Sequence, residues 1–167
     1  MIILGVDPGS RHTGYGAIET DGRRHRLVEK GVLSPAARQE LPLRLRFIHD
    51  RLGELITRLA PAAMAVEDVF YAQSARSALV LGHVRGVILL AAAQAGLSVH
   101  SFAPATVKLQ VTGQGQAEKA QVALMVSHLL SLPAQEAGDA ADALAVALCH
   151  AHCQGGLGAV LARMPAR

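Results

Sequence analysis

The feature that most constrains this chain is one carboxylate. Asp7 closes the apolar run Ile2-Ile3-Leu4-Gly5-Val6 and opens a turn, within the stretch G-V-D-P-G-S-R-H-T-G-Y-G at residues 5–16. A short apolar run bounded by turn residues reads as a buried strand. Pro8 and Gly9 stop it, and Thr13-Gly14-Tyr15-Gly16-Ala17-Ile18 begins a second, alternating strand. An acid is thereby fixed at the end of a core strand, among glycines. Such an acid either caps a turn through local hydrogen bonds or holds a metal or phosphate that the glycines allow to come close.

The rest of the chain predicts an α/β layout. Asp21-Gly22 reads as a hairpin turn before a third strand at residues 26–33. Apolar residues at Leu45, Ile48, Leu52, Leu55, Ile56 and Leu59 give the period of an amphipathic helix over 43–59. A buried strand is expected at 62–67, a long helix at 75–95 stopped by Gly96, and a fifth strand at 97–102. A short helix at 104–111, a loop at 112–116 and two helices at 117–130 and 138–153 complete the order. Three meandering strands followed by alternating helices and strands imply a mixed five-stranded sheet with an antiparallel edge, flanked by helices.

With 167 residues, 51% hydrophobic and 17% charged, the chain suits one globular domain with a substantial core and not a disordered segment. Its longest apolar stretch, 87–93, is too short to span a bilayer. The N-terminus carries no secretion pattern, so a cytoplasmic protein without a membrane is expected. The formal charge of +3 suits a polyanionic partner. Between residues 70 and 119 the charges are Arg76, Arg85, Lys108 and Lys119 against Glu118 alone, a segment along which a polyanion could lie or whose charges solvate a helix.

Glu67 repeats the placement of Asp7, at the last residue of a buried strand. Sites in open α/β sheets lie beyond strand ends, so the two acids can share one. Asp139 and Asp142, in D-A-A-D-A-L-A, sit at i and i+3 on one helix face. Either is also a natural first-turn acid or cap. Four converging carboxylates repel one another unless a cation holds them. Hard oxygen ligands of this kind suit Mg²⁺ or Mn²⁺, and two such ions about 4 Å apart can hydrolyse a phosphodiester.

Five segments carry a resemblance: I-L-G-V-D-P-G-S-R-x-T-G-Y-G, V-E-D-V-F, S-A-L-x-L-G-x-x-R-G, V-K-L-Q-V-T-G-Q-G-Q-A-E-K and D-A-A-D-A-L-A. In this order, over nearly the whole chain, they resemble the RuvC family of Holliday junction resolvases. The resemblance implies a ribonuclease H-like fold and a homodimer. It also implies cutting of four-way DNA junctions by paired symmetric nicks with Mg²⁺ or Mn²⁺, two ions per site, in recombination and repair. Asp7, Glu67, Asp139 and Asp142 would be the metal-binding catalytic acids, with Lys108 and Lys119 beside the scissile strand. Phe70 would stack on bases at the crossover, and Arg76 is a further candidate DNA contact. A branch-migration motor complex is the partner implied.

Two positions depart from the family pattern. Ser74 stands where an Asn is expected, and the chain after Cys153 has no counterpart. The nuclease domain is therefore set at 1–153, with 154–167 expected to be a disordered tail. Gly82 and Gly86, four apart on the long helix, suit either internal helix packing or the dimer contact of the family. In Cys149-His150-Ala151-His152-Cys153 the cysteines share a helix face that the histidines leave, which argues against zinc. Other readings remain in competition: a ribonuclease H-like nuclease processing RNA, and a junction-binding module without catalysis. An actin-like ATPase would need two domains, more than 167 residues supply.

Overall fold

The computed structural model describes residues 1–68, 74–132 and 137–155. The elements run β1 (Ile2–Asp7), β2 (Thr13–Thr20), β3 (His25–Leu33), α1 (Leu41–Leu59), β4 (Ala63–Glu67), α2 (Ala75–Gln94), β5 (Val99–Phe102), α3 (Pro104–Thr112), α4 (Lys119–Leu129) and α5 (Asp139–Gly155). All ten match an expected element. The differences lie at ends: β5 starts two residues later than expected, and α5 continues two residues past Cys153 into the stretch expected to be a tail. Residues 156–167 lie outside the described residues.

The sheet order is β3-β2-β1-β4-β5. The β1–β2 and β2–β3 pairs are antiparallel, whereas β1–β4 and β4–β5 are parallel. Local chemistry sets the breaks between elements. Asp21 accepts from the backbone N–H groups of Arg23 and Arg24, and Gly22 takes a φ of 93°, which closes the β2–β3 turn. Ala60, at φ 43°, ends α1 before Pro61. Glu118 and Gln121 form a reciprocal capping box at the start of α4. The Ser74 hydroxyl accepts from the Ser77 N–H and caps α2, a task that an Asn performs equally well.

Alternation along the strands divides the core in two. Leu4, Val6, Ala17, Met64 and Val66 point to the face covered by α1 and α2, while Ile3, Ile18 and Ala65 point to α3, α4 and α5. Residues of the same parity share a face. Asp7 thus follows Ile3 and Gly5, and Glu67 follows Ala65, toward α5. Both acids end their strands on the side where α5 lies.

The α2 helix packs inward through Val84, Ile88, Ala91 and Ala92. Its outer face is apolar and left uncovered by the described residues, with Leu79 66% and Leu90 51% exposed. A Cβ at Gly82 or Gly86 would meet nothing within 4 Å, so these glycines serve no packing within the described chain. Together with Leu45 and His83 they line an open groove of about 800 Å³. By length and composition α2 could cross a membrane, although the stretch 87–93 alone is too short. However, one side of α2 is a wall of the core, and Arg85 within it is tied to the sheet.

Candidate active site at the carboxyl ends of the strands

Three chain segments meet beyond the carboxyl ends of β1 and β4. One carboxylate oxygen from each of Asp7, Asp139 and Asp142 lies within 4.8 Å of the others. The Glu67 side chain joins them through a hydrogen bond with Asp7. The parallel β1–β4 register, Val6 opposite Val66, puts the two strand-end acids side by side. The first turn of α5 supplies the two aspartates, with Gly138 at φ 87° and its carbonyl accepting from the N–H groups of Ala141 and Asp142.

The glycines around Asp7 explain how α5 arrives so close. A Cβ at Gly14 would stand 2.0 Å from the Asp139 carbonyl oxygen, and one at Gly5 would stand 2.1 Å from that of Ala143. At Gly16 it would strike the Leu144 side chain at 2.6 Å. These positions admit a helix backbone, so the space that the sequence offered to a ligand is filled by α5. The ligand space lies one step further on, among the carboxylates.

The electrostatics are those of unneutralised acids. Burial, reinforced by Glu67, Asp142 and Asp139, pushes the Asp7 carboxyl up to about 8, against a partial offset from Lys119. Burial and then Asp142 raise Glu67, while its hydrogen bond with Asp7 and the charges of Lys119 and Lys108 work the other way. The Lys119 ammonium stands 2.5 Å from Asp142 Oδ2, and this contact holds its own pKa up. A cation is thus already drawn to the cluster. An all-carboxylate donor set with one soft proton to release is matched to a divalent metal ion.

The other expected contacts divide. Lys108 acts on Glu67 from α3, and Lys119 reaches the acids directly. Arg76 is exposed near the start of α2, with no hydrogen bond or ion pair to a described residue. Phe70 lies outside the described residues. Arg85 was grouped by sequence with the charges open to a polyanion, and the structure corrects this. Its guanidinium turns inward, donating to the Glu67 carbonyl at 2.8 Å and the Ser101 hydroxyl at 2.6 Å, and pairing with Asp68 at 2.6 Å. It joins the ends of β4 and β5 and fixes the backbone that presents Glu67. Its position immediately before Gly86 in the helix gave no sign of this; only the strand register brings Ser101 and Asp68 within reach.

The Cys-His segment forms no metal site among the described residues. Cys149 is buried and its thiol is pushed up by that burial and by Cys153. His150 packs on the His100 ring at 4.3 Å, and burial lowers it to about 4. His152 instead bonds the Gln110 carbonyl at 2.8 Å.

A family model described as "Crossover junction endodeoxyribonuclease RuvC" matches residues 3–150. A protein of that name from Citrifermentans bemidjiense is 50% identical over 155 residues, covering 93% of this chain and 94% of that protein. Another from Koribacter versatilis is 47% identical and covers 100% of this chain and 99% of its own length. Among solved structures, Thermus thermophilus RuvC in complex with Holliday junction substrate superposes with a TM-score of 0.88 at 36% identity, covering 93% of this chain and 95% of that one. The five-stranded architecture is therefore the ribonuclease H-like fold of those proteins.

Proposed function

The chain belongs to the RuvC family of crossover junction endodeoxyribonucleases, and from that premise we propose that it resolves four-way DNA junctions by paired symmetric nicks. The observation that carries this is the meeting of Asp7, Asp139 and Asp142 within 4.8 Å at the strand ends, with Glu67 bonded to Asp7. Asp7, Glu67, Asp139 and Asp142 would hold two divalent ions, Mg²⁺ or Mn²⁺. When bound, such ions activate a water and stabilise the leaving oxygen of the phosphodiester. The protein's part is placement. Strands β1 and β4 and the buried helix α5 hold the carboxylates rigidly, and Arg85 fixes the Glu67 backbone. Asp7 would give up its proton where positive charge offsets the neighbouring acids. Lys119 is freed from Asp142 to meet a phosphate oxygen, and Lys108 flanks the same strand. Arg76 and Phe70 contact DNA further from the cut, a role for Phe70 that rests on the family resemblance.

The partner on the outer face of α2 is a second copy of this chain. A four-way junction has two-fold symmetry and each chain carries one set of acids, so an isologous pair supplies one cut per strand. The groove of Leu45, Leu79, Gly82, Gly86 and Leu90 leaves an apolar face for the twin helix. A branch-migration motor complex and a cytoplasmic location complete the reading, both on the strength of the family.

One gel tests it, with four-way junction, linear duplex and RNA–DNA hybrid, each with and without Mn²⁺. Metal-dependent nicking of the junction alone is expected, and Asp7→Asn should bind the junction without cutting it. Preferential cutting of the hybrid would transfer the protein to RNA processing.

A further inference from the structure

On the far side of Asp7 from Lys108 and Lys119, the structure contains a second cationic feature. The turn at residues 8–12 closes tightly: Thr13 Oγ1 donates to the Gly9 carbonyl at 2.7 Å, and a Cβ at Gly9 would lie 1.9 Å from the His12 carbonyl oxygen. This turn projects Arg11 and His12. The Arg44 side chain, from the first turn of α1, donates to the Ser10 carbonyl and so is held against the same turn. With Pro35 and Ala37 these residues enclose a cleft of about 370 Å³.

We propose that the Arg11–His12–Arg44 cleft binds a backbone phosphate of the DNA, a few nucleotides from the cut; the inference rests on the reading of the protein as a DNA nuclease. The charge arrangement favours an anion. Among the described residues no carboxylate lines the cleft. Three other arginines of this half of the chain pair with acids, Arg26 with Glu19, Arg51 with Glu54 and Arg58 with Glu29, whereas Arg23, Arg24, Arg38 and Arg46 have no ion pair among the described residues. Arg11 has no ion pair among the described residues, and Arg44 is bonded to a carbonyl oxygen alone. Two guanidinium groups brought to one cleft without an acid are stabilised by an anion, and a planar guanidinium fits two phosphate oxygens at once. The His12 ring is oriented by a 3.0 Å bond between Nδ1 and the Ser34 hydroxyl. With Nδ1 accepting, the proton sits on Nε2, a third donor.

The location suits a strand passing through the site. Arg11 follows Asp7 by four positions, so their Cα atoms are at most about 14 Å apart. At about 3.4 Å of rise per nucleotide along one strand, that is some four nucleotides. In the sheet order the β1–β2 turn lies on one side of the acids and α3, following β5, on the other. A strand held by Lys108 and Lys119 at one end and the cleft at the other crosses the carboxylates between them.

The test measures binding of the full chain to a fluorescent four-way junction and to linear duplex, without divalent metal, over a range of salt. Arg11→Ala and Arg11→Glu are compared with wild type, together with Arg44→Gln, and thermal unfolding reports whether the turn has been disturbed. Arg46→Ala is the control, an exposed arginine two positions from Arg44 and so on another face of α1. Each lost phosphate contact should make the log–log salt slope shallower by about 0.9. A loss of that size in both Arg11 variants, with Arg46→Ala unchanged, supports the cleft. An unchanged slope in Arg11→Glu, or an equal loss in Arg46→Ala, overturns it. Failure of the junction reading has a different signature, namely wild-type binding that does not distinguish junction from duplex. The Arg11 slope change must still appear on either DNA.

Discussion

Asp7 holds its proton where an ordinary aspartate would have lost it, and this has a consequence for stability. Its ordinary pKa of 3.8 describes the unfolded chain, and the folded value is about 8. Between these limits the folded protein keeps a proton that the unfolded one releases. The stabilisation is full below about pH 4 and is lost as pH rises through 8, by up to about 1.4 kcal/mol per pH unit for one proton. Glu67 is shifted in the same direction. Metal-free wild type should therefore lose Tm between pH 5 and 8.5 more steeply than Asp7→Asn, and Mg²⁺ should remove the difference. Equal slopes in a calorimetric pH series would refute the burial of that charge. Arg85 has the opposite character, a cation spent on structure. Arg85→Ala leaves the Glu67 carbonyl and Asp68 without their donor and should cost about 1–3 kcal/mol. Nicking should fall further than junction binding, because the displaced group is the Glu67 backbone. At this scale the acids were legible, since strand-end position and i, i+3 spacing are local patterns. Arg85 was not, since its partners lie 16 to 18 residues away along the chain.

At the level of elements the fold is a problem of how close α5 can come to the sheet. Leu144, Val146 and Leu148 bury it completely, and its alanines keep it thin. The glycines of β1 and β2 do the rest. Gly14→Ala would force a methyl group into the Asp139 carbonyl and push the aspartate pair away from Asp7. A destabilisation of about 1–3 kcal/mol is expected, with metal-dependent nicking lost even where the variant folds. Gly53→Ala provides the contrast: this glycine is inside α1 with nothing within 4 Å of its Cβ, and the change should stabilise by about 0.4–1 kcal/mol. Paired denaturation curves check both; equal effects would mean that the α5 contact is not as tight as described. The elements themselves were readable from hydrophobic period and turn residues, with errors confined to ends. The role of the glycines was not readable, because a glycine in a strand announces a close approach without saying whether a ligand or a helix makes it.

For the whole molecule, the uncovered face of α2 and the single set of acids bear on the same question. The sequence showed two small residues one turn apart. It could not show that they face outward, because that depends on which side of α2 meets α1. Leu79 and Leu90 are exposed to an extent that a solitary soluble helix gains nothing from, whereas a twin helix would cover them. If the pair forms there, a charge on each copy is brought against its twin, and Leu79→Glu with Leu90→Glu should yield a monomer by sedimentation with the fold intact. Neither residue reaches the acids, so the monomer should keep its metal-stimulated rise in Tm. Its effect on DNA should be specific. Wild type acting on a cruciform plasmid should cut both strands before the junction dissociates and leave linear product. The monomer cuts one strand per encounter and should leave nicked circles. A dimeric double variant would show that the copies meet elsewhere. A monomer that still gives linear product at the wild-type yield would show that one chain makes both cuts, and the match between the symmetry of the protein and that of its substrate would lose its meaning.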